Sequence, residues 1–160
     1  ILVRHYAAWL AALCLGLILS INLMGIWLQQ RQPIKADFRA VATFLAAQPQ
    51  PPSPIMIQMP YLRHTLCYYY PYTYQFLEGL WTNGGSTEAE VDRQMARLTA
   101  DFSDLWLVVS EEETWDNRQL VRRWLDENAL LVDQAHFTRV AVYHYRLRPG
   151  TIRQQSSAAE

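Results

Sequence analysis

The sequence predicts an α/β protein in which one N-terminal transmembrane helix precedes a small Rossmann-like domain, a mainly parallel sheet with helices on its faces. Three observations carry this expectation. Residues 6–28, YAAWLAALCLGLILSINLMGIWL, hold no charge, and only Ser20 and Asn22 are distinctly polar. Beyond residue 34 the chain turns charged, with twelve basic and fifteen acidic groups, the composition of an ordinary soluble domain. Helix and strand signals then alternate and end in two consecutive strands, the order expected of a parallel sheet with an antiparallel end.

The uncharged run comes first. At about 1.5 Å per residue it reaches roughly 34 Å as a helix, enough for a hydrocarbon core of about 30 Å. Tyr6, Trp9 and Trp27 lie near its ends, where amphipathic rings favour the headgroup region, and Arg4 and Arg31 bracket it. INLMGIWLQQ offers no small-x-small cleavage site for a signal peptide. Arg4 and His5 on one side stand against Arg31, Lys35 and Arg39 on the other, too even a balance to set orientation. Residues 1–32 are thus expected to be the membrane helix and its flanks, 33–148 the soluble domain and 149–160, PGTIRQQSSAAE, a polar tail. The chain begins with Ile and is already apolar there, as expected of a piece of something longer.

In the soluble part, Phe38, Val41, Ala42 and Leu45 recur at three- and four-residue spacing and predict a helix over 35–48. PQPPSP, 49–54, ends it, because proline lacks the backbone donor and disfavours helix in the residue before it. IMIQM, 55–59, reads as a strand, 61–70 as one or two helical turns and 74–81 as a strand. Thr87 and Glu90 form a capping-box pair opening a helix to about Phe102, with Val91, Met95, Leu98 and Phe102 on one face. LWLVVS, 105–110, is apolar nearly throughout, which marks a central strand covered on both sides. Asp116 can cap a helix through Asn128 that turns Leu120, Val121, Trp124 and Leu125 inward. Residues 130–147 supply the last two strands, with Val140, Val142, Tyr143 and Tyr145 dividing between faces.

Composition excludes several functions. Fourteen basic residues face fifteen acidic ones in 160, a formal net charge of −1, so there is no field to hold nucleic acid. Cys14 and Cys67 are too few for a disulfide framework and lack redox or zinc spacing. No GxGxxG follows the first strand and no Walker motif occurs, so no cofactor is indicated. His64 and Cys67 lie three apart, but two ligands do not make a metal site, and His5, His136 and His144 are isolated. Ser110 in VVSEEE lacks the glycine-flanked turn of a hydrolase nucleophile.

Two clusters remain as candidate sites. Glu111, Glu112 and Glu113 follow the central strand, where open α/β sheets commonly place ligands. They serve either a cation or sugar hydroxyls, or, as the preferred reading, are solvated charges that favour the start of the next helix. The segment 61–81 concentrates Tyr61, Tyr68, Tyr69, Tyr70, Tyr72, Tyr74, Phe76 and Trp81. Such rings stack on sugars, rest at a bilayer interface or pack into the fold. Tyr61, Tyr68, Tyr69, Tyr70, Tyr72 and Trp81 are the candidate substrate-binding residues.

A hydrophobic span, a short polar joint, DFRAVATFL, a Pro-bounded strand ahead of a tyrosine-rich segment, DLWLVVS and a closing FTRVAVYHY together resemble the C-terminal end of bacterial membrane glycosyltransferases of the GT-C class. The family is the protein mannosyltransferase and aminoarabinose transferase-like group, and the resemblance covers residues 6–147. It implies an extracytoplasmic α/β domain in the cell membrane, attached to further spans of the same protein. It also implies transfer of a sugar from a polyprenyl-phosphate donor to a lipid or protein acceptor. The family's catalytic carboxylate and other site residues precede this region, so no catalytic residue is carried over. The bilayer, a lipid-linked sugar and the rest of the transmembrane part are the implied partners. The alternative is a single-span anchor bearing an interaction or sensing module.

Overall fold

A computed structural model describes residues 2–31 and 35–148; the expected polar tail, residues 32 and 33 of the joint and the side chains of Arg4, His5 and Arg31 lie outside what it describes. The chain divides into two compact units, Ile1–Lys35 and Ala36–Glu160.

The first unit is helix α1, Leu2–Arg31. Thirty residues at 1.5 Å span about 45 Å, and the stretch Ala12–Gln30 is apolar and long enough to cross a membrane. Its polar members satisfy themselves along the helix: Ser20 Oγ donates to the Gly16 carbonyl at 2.8 Å and Asn22 Nδ2 to that of Ile18 at 2.7 Å. Leu13, Leu17, Leu23 and Trp27 are all exposed. In water that much uncovered apolar surface is unfavourable, and in a bilayer it is not.

The second unit is a five-stranded sheet in the order β2-β1-β3-β5-β4. Its strands are β1 (Ile55–Ile57), β2 (Phe76–Glu78), β3 (Asp104–Ser110), β4 (Ala129–Phe137) and β5 (Val140–Leu147). β1 runs parallel to both β2 and β3, whereas β5 pairs antiparallel with β3 and with β4. Half the pairings are therefore antiparallel, so the sheet is mixed, with a parallel half of three strands and an antiparallel half.

Strand alternation sends side chains to two separate cores. Ile55, Ile57, Trp106, Val108, Val140 and Val142 lie on one face, under helices α2 (Phe38–Ala46) and α3 (Arg63–Tyr69). Met56, Leu105, Leu107, Val109, Tyr143 and Tyr145 lie on the other, under α4 (Glu88–Thr99) and α6 (Leu120–Asn128). The periodic positions are the buried ones: Phe38, Val41, Ala42 and Leu45 in α2, Val91 and Met95 in α4, and Leu120, Val121, Trp124 and Leu125 in α6. β3 is buried from Leu105 through Ser110, as a strand with helices on both faces must be.

The helix starts are built from side-chain acceptors. Asp37 Oδ1 accepts from Ala40 N at 3.0 Å, and Thr87 and Glu90 form the reciprocal capping box. The Asp37 N–H also donates to the Thr138 carbonyl in the β4–β5 turn, 3.0 Å away. β4 is an outer strand with an irregularity between Leu131 and Asp133, and it leaves Leu130, Leu131 and Val132 exposed.

Candidate functional site

The three parallel strands end together, and their following segments meet at Asp116. This residue is fully buried. Its carboxylate accepts from Thr82 Oγ1 at 2.5 Å, Gln58 Nε2 at 3.3 Å and the backbone N–H groups of Leu120 and Val121 at 2.9 Å each. One side chain thus ties the exits of β1, β2 and β3 to the start of α6. Asp116 serves the start of α6 from four and five residues ahead of the amides it satisfies, across the turn at 117–119 that follows the short helix α5 (Glu112–Trp115). Gln119 holds the N-cap position itself and makes no side-chain cap bond. Gly79 closes the same junction. A Cβ there would overlap the Cα of Gln58 and stand 2.8 and 2.9 Å from the carbonyl oxygens of Gln58 and Ile57. Gly79→Ala is therefore expected to cost about 1–3 kcal/mol through backbone displacement, measurable as an earlier thermal transition with the α1 helical signal unchanged.

The glutamate triplet does not act as three equivalent charges. Glu111 takes a left-handed backbone, φ 54°, and the chain folds into α5, so Glu113 is exposed while Glu112 turns inward. Glu112 Oε2 accepts from Gln119 Nε2 at 2.9 Å and lies 3.8 Å from Arg122. Its Oε1 is buried with no hydrogen-bond partner. Burial raises the Glu112 carboxyl above the usual range, and the nearby Arg122 charge only partly opposes this. The expectation of solvated charges holds for Glu111 and Glu113 and fails for Glu112.

The aromatic segment separates into four places. Tyr61, in a 3-10 turn after β1, donates to Met59 Sδ at 3.6 Å. That bond puts it just past the end of β1, and burial and the Glu111 charge raise its phenol. Tyr68 and Tyr69 are exposed on α3, edge to face with centroids 4.9 Å apart, and Arg39 lies 5.5 Å over the Tyr69 ring. Tyr70 faces inward at 4% exposure, since the helix ends there in an extended residue. Its ring contacts those of Tyr72 and Tyr74 at 5.5 and 5.7 Å, and its hydroxyl is buried without a partner. Arg63, Cys67, Tyr72, Tyr74 and Phe76 complete with it an open cavity of about 370 Å³, in which Arg63 stacks on Phe76 at 5.1 Å. Trp81 belongs to none of these groups. It is exposed against Trp115, centroids 6.3 Å apart, beside the Asp116 junction.

The remaining candidates have structural partners. Cys67 Sγ is 3.3 Å from the Tyr74 hydroxyl, and among the described residues no three His, Cys, Asp or Glu side chains converge as metal ligands. Ser110 is buried and donates to the Arg139 carbonyl at 2.9 Å. His144 stacks on Trp106 and sits 3.2 Å from Asp104 Oδ1.

Sequence reasoning missed a second cavity, of about 230 Å³, between the end of β3, α6 and the β4–β5 turn. Glu112, Arg122, His136, Arg139 and Tyr143 line it. They come from α5, α6, β4, the β4–β5 turn and β5, and the insertion of β5 between β3 and β4 brings them together. The one local signal was the turn itself, where an arginine occupies a left-handed position that usually favours glycine.

No protein family, curated protein or solved structure matches the chain.

Proposed function

We propose that this chain is the membrane-anchored C-terminal part of a glycosyltransferase that moves a sugar from a polyprenyl-phosphate donor to a lipid or protein acceptor. In this reading the α/β domain is extracytoplasmic and Rossmann-like, and it positions ligands while the catalytic groups lie in other spans. The observation that carries the reading is the set of exposed aromatic faces flanked by guanidiniums in a domain that directly follows a long apolar helix. Tyr68, Tyr69 and Tyr72 are exposed, with Arg39 over Tyr69 and Arg63 over Phe76. Aromatic faces match the apolar faces of sugar rings and the interfacial zone of lipids, and guanidiniums match phosphate. The resemblance of residues 6–147 to the GT-C transferases supplies the reaction class.

The test is sugar transfer in membranes carrying the protein encoded by the complete reading frame, with a polyprenyl-phosphate hexose as donor. Transfer is expected from that protein and not from the 160-residue chain alone. A Tyr68→Ala, Tyr69→Ala double variant is expected to lower transfer about tenfold through weaker binding, the scale of losing ring contacts worth about 1–1.5 kcal/mol. A reading frame with no further spans and no transfer would overturn the proposal. The exposed edge of β4, with Leu130, Leu131 and Val132 uncovered, favours a second reading, a tethered interaction module to which a partner adds a strand. That module would survive the same failure.

A further inference from the structure

We propose that the α2–α3 layer of the α/β unit is a docking surface for an anionic lipid bilayer. The charge of the unit is divided along the chain. Residues 38–77, which include α2, α3 and the strand β1 beneath them, hold no acidic side chain and carry Arg39, Arg63 and His64. Residues 78–148 hold thirteen acidic and eight basic side chains, and α4 and α6 bear Glu88, Glu90, Asp92, Asp126 and Glu127. One helix layer is therefore basic and the opposite one is not, so a negatively charged plane attracts the first in preference to the second.

The basic layer also presents its rings. Tyr68, at 81%, is the most exposed large apolar side chain among the described residues, and it meets Tyr69 edge to face. Arg39 on α2 lies 5.5 Å over the Tyr69 ring. His64 precedes Tyr68 by four residues on α3 and is exposed with it, so the two share one side of the helix. Tyrosine rings with a wet hydroxyl settle at the headgroup level of a bilayer, and guanidiniums meet lipid phosphates there.

The tether selects this layer. Residues 32–36 join Arg31, the last residue of α1, to Asp37, the N-cap of α2. Fully extended, so short a connection reaches about 20 Å, and an α1 held in a bilayer keeps the start of α2 within that distance of the lipid. Arg39 follows Asp37 by two residues, which brings the group of Arg39, Tyr69 and Tyr68 to the point where the tether enters. The Asp37 carboxylate at that point is engaged in capping α2 through Ala40 N. A short tether gives the docking step an effective concentration on the order of millimolar, so individually weak contacts hold the layer down. This inference rests on the membrane-anchored part of the reading above and not on the reaction.

Modification of Cys67 by a polymer-linked maleimide tests it, using the full chain with Cys14→Ala in nanodiscs that hold one chain each. Cys67 is an exposed thiol on α3, between Arg63 and Tyr68. Its reaction is expected to be at least tenfold slower in discs with one-third phosphatidylglycerol than in pure phosphatidylcholine, and about 0.5 M salt is expected to abolish the difference. A His64→Glu, Thr65→Glu double variant changes two exposed positions; it is expected to keep the parent circular dichroism and to react at the phosphatidylcholine rate in both discs. As a control, Ala89→Cys combined with Cys67→Ser moves the thiol to an exposed position on α4, and equal rates in the two lipids are expected there. Equal Cys67 rates in the two lipids, slowing that salt does not relieve, or the same slowing at position 89 would overturn the proposal. Slowing seen only with two chains per disc would overturn it too, by assigning the layer to a second copy. A chain that does not enter the discs would overturn anchoring and docking together, whereas absence of sugar transfer with Cys67 still shielded would overturn the transferase reading alone.

Discussion

Val108→Asp is expected to unfold the α/β unit or to lower its stability by about 3–5 kcal/mol. Val108 is 1% exposed at the middle of the central strand, paired with Ile57 on one side and Val142 on the other. Its side chain lies in the buried apolar cluster beneath α2 and α3 that also holds Ile57, Leu66, Trp106 and Val142. The new charge would have to stay buried, shift to its protonated form or open the helix layer, and each route is costly. Near-ultraviolet circular dichroism follows the transition, because the buried Trp106 and Trp124 report the domain and α1 contributes only Trp9 and Trp27. A drop of roughly 12 °C or more in the midpoint is the expected scale for a unit of this size. A variant melting within a degree or two of the parent would place β3 at an edge.

Asp116→Ala is the second large effect, about 4 kcal/mol. The substitution leaves the Thr82 hydroxyl, the Gln58 amide and two α6 N–H groups without their acceptor in a site with no solvent access. An unsatisfied buried donor costs about 1–3 kcal/mol, and relaxation keeps the total below the sum. Asp116→Asn retains one oxygen but turns an amide N–H₂ toward donors, so a smaller loss of about 2–3 kcal/mol is expected. Urea unfolding of the three proteins gives the order parent, Asn, Ala. Equal stabilities would mean that the strand exits are held together by packing alone.

Both effects rest on residues whose importance was partly legible in the sequence. The uninterrupted apolar run 105–109 announced a covered strand, and Asp116 ahead of a periodic helix announced a cap. What could not be read was the company Asp116 keeps. Gln58 and Thr82 lie 58 and 34 residues away, and no local pattern encodes a contact at that separation. The helix faces of α2, α4 and α6 were legible because a 3.6-residue period records which side is buried. β2 was faint because only Phe76–Glu78 pair, too short a stretch to show alternation. The tyrosine segment reads as one aromatic patch, yet the chain reverses direction twice within it. The 3-10 turn at Pro60–Leu62 aims Tyr61 toward the strand ends, and the extended residue after α3 turns Tyr70 inward. Composition counts rings, whereas their directions come from backbone turns. The Arg122 and Arg139 cavity was illegible for a further reason: β5 returns between β3 and β4, and strand order is a property of the whole sheet.

The contact between Asp37 and the β4–β5 turn has a mechanical side. Any pull delivered along the chain from α1 enters the α/β unit just ahead of Asp37, and a bond across the fold that resists it runs from the Asp37 N–H to the Thr138 carbonyl. Thr138 adjoins Arg139, whose carbonyl is latched to Ser110 at the end of β3. Tension therefore passes from the tether through one turn into the central strand, and the turn that feels it is the one bearing the arginine.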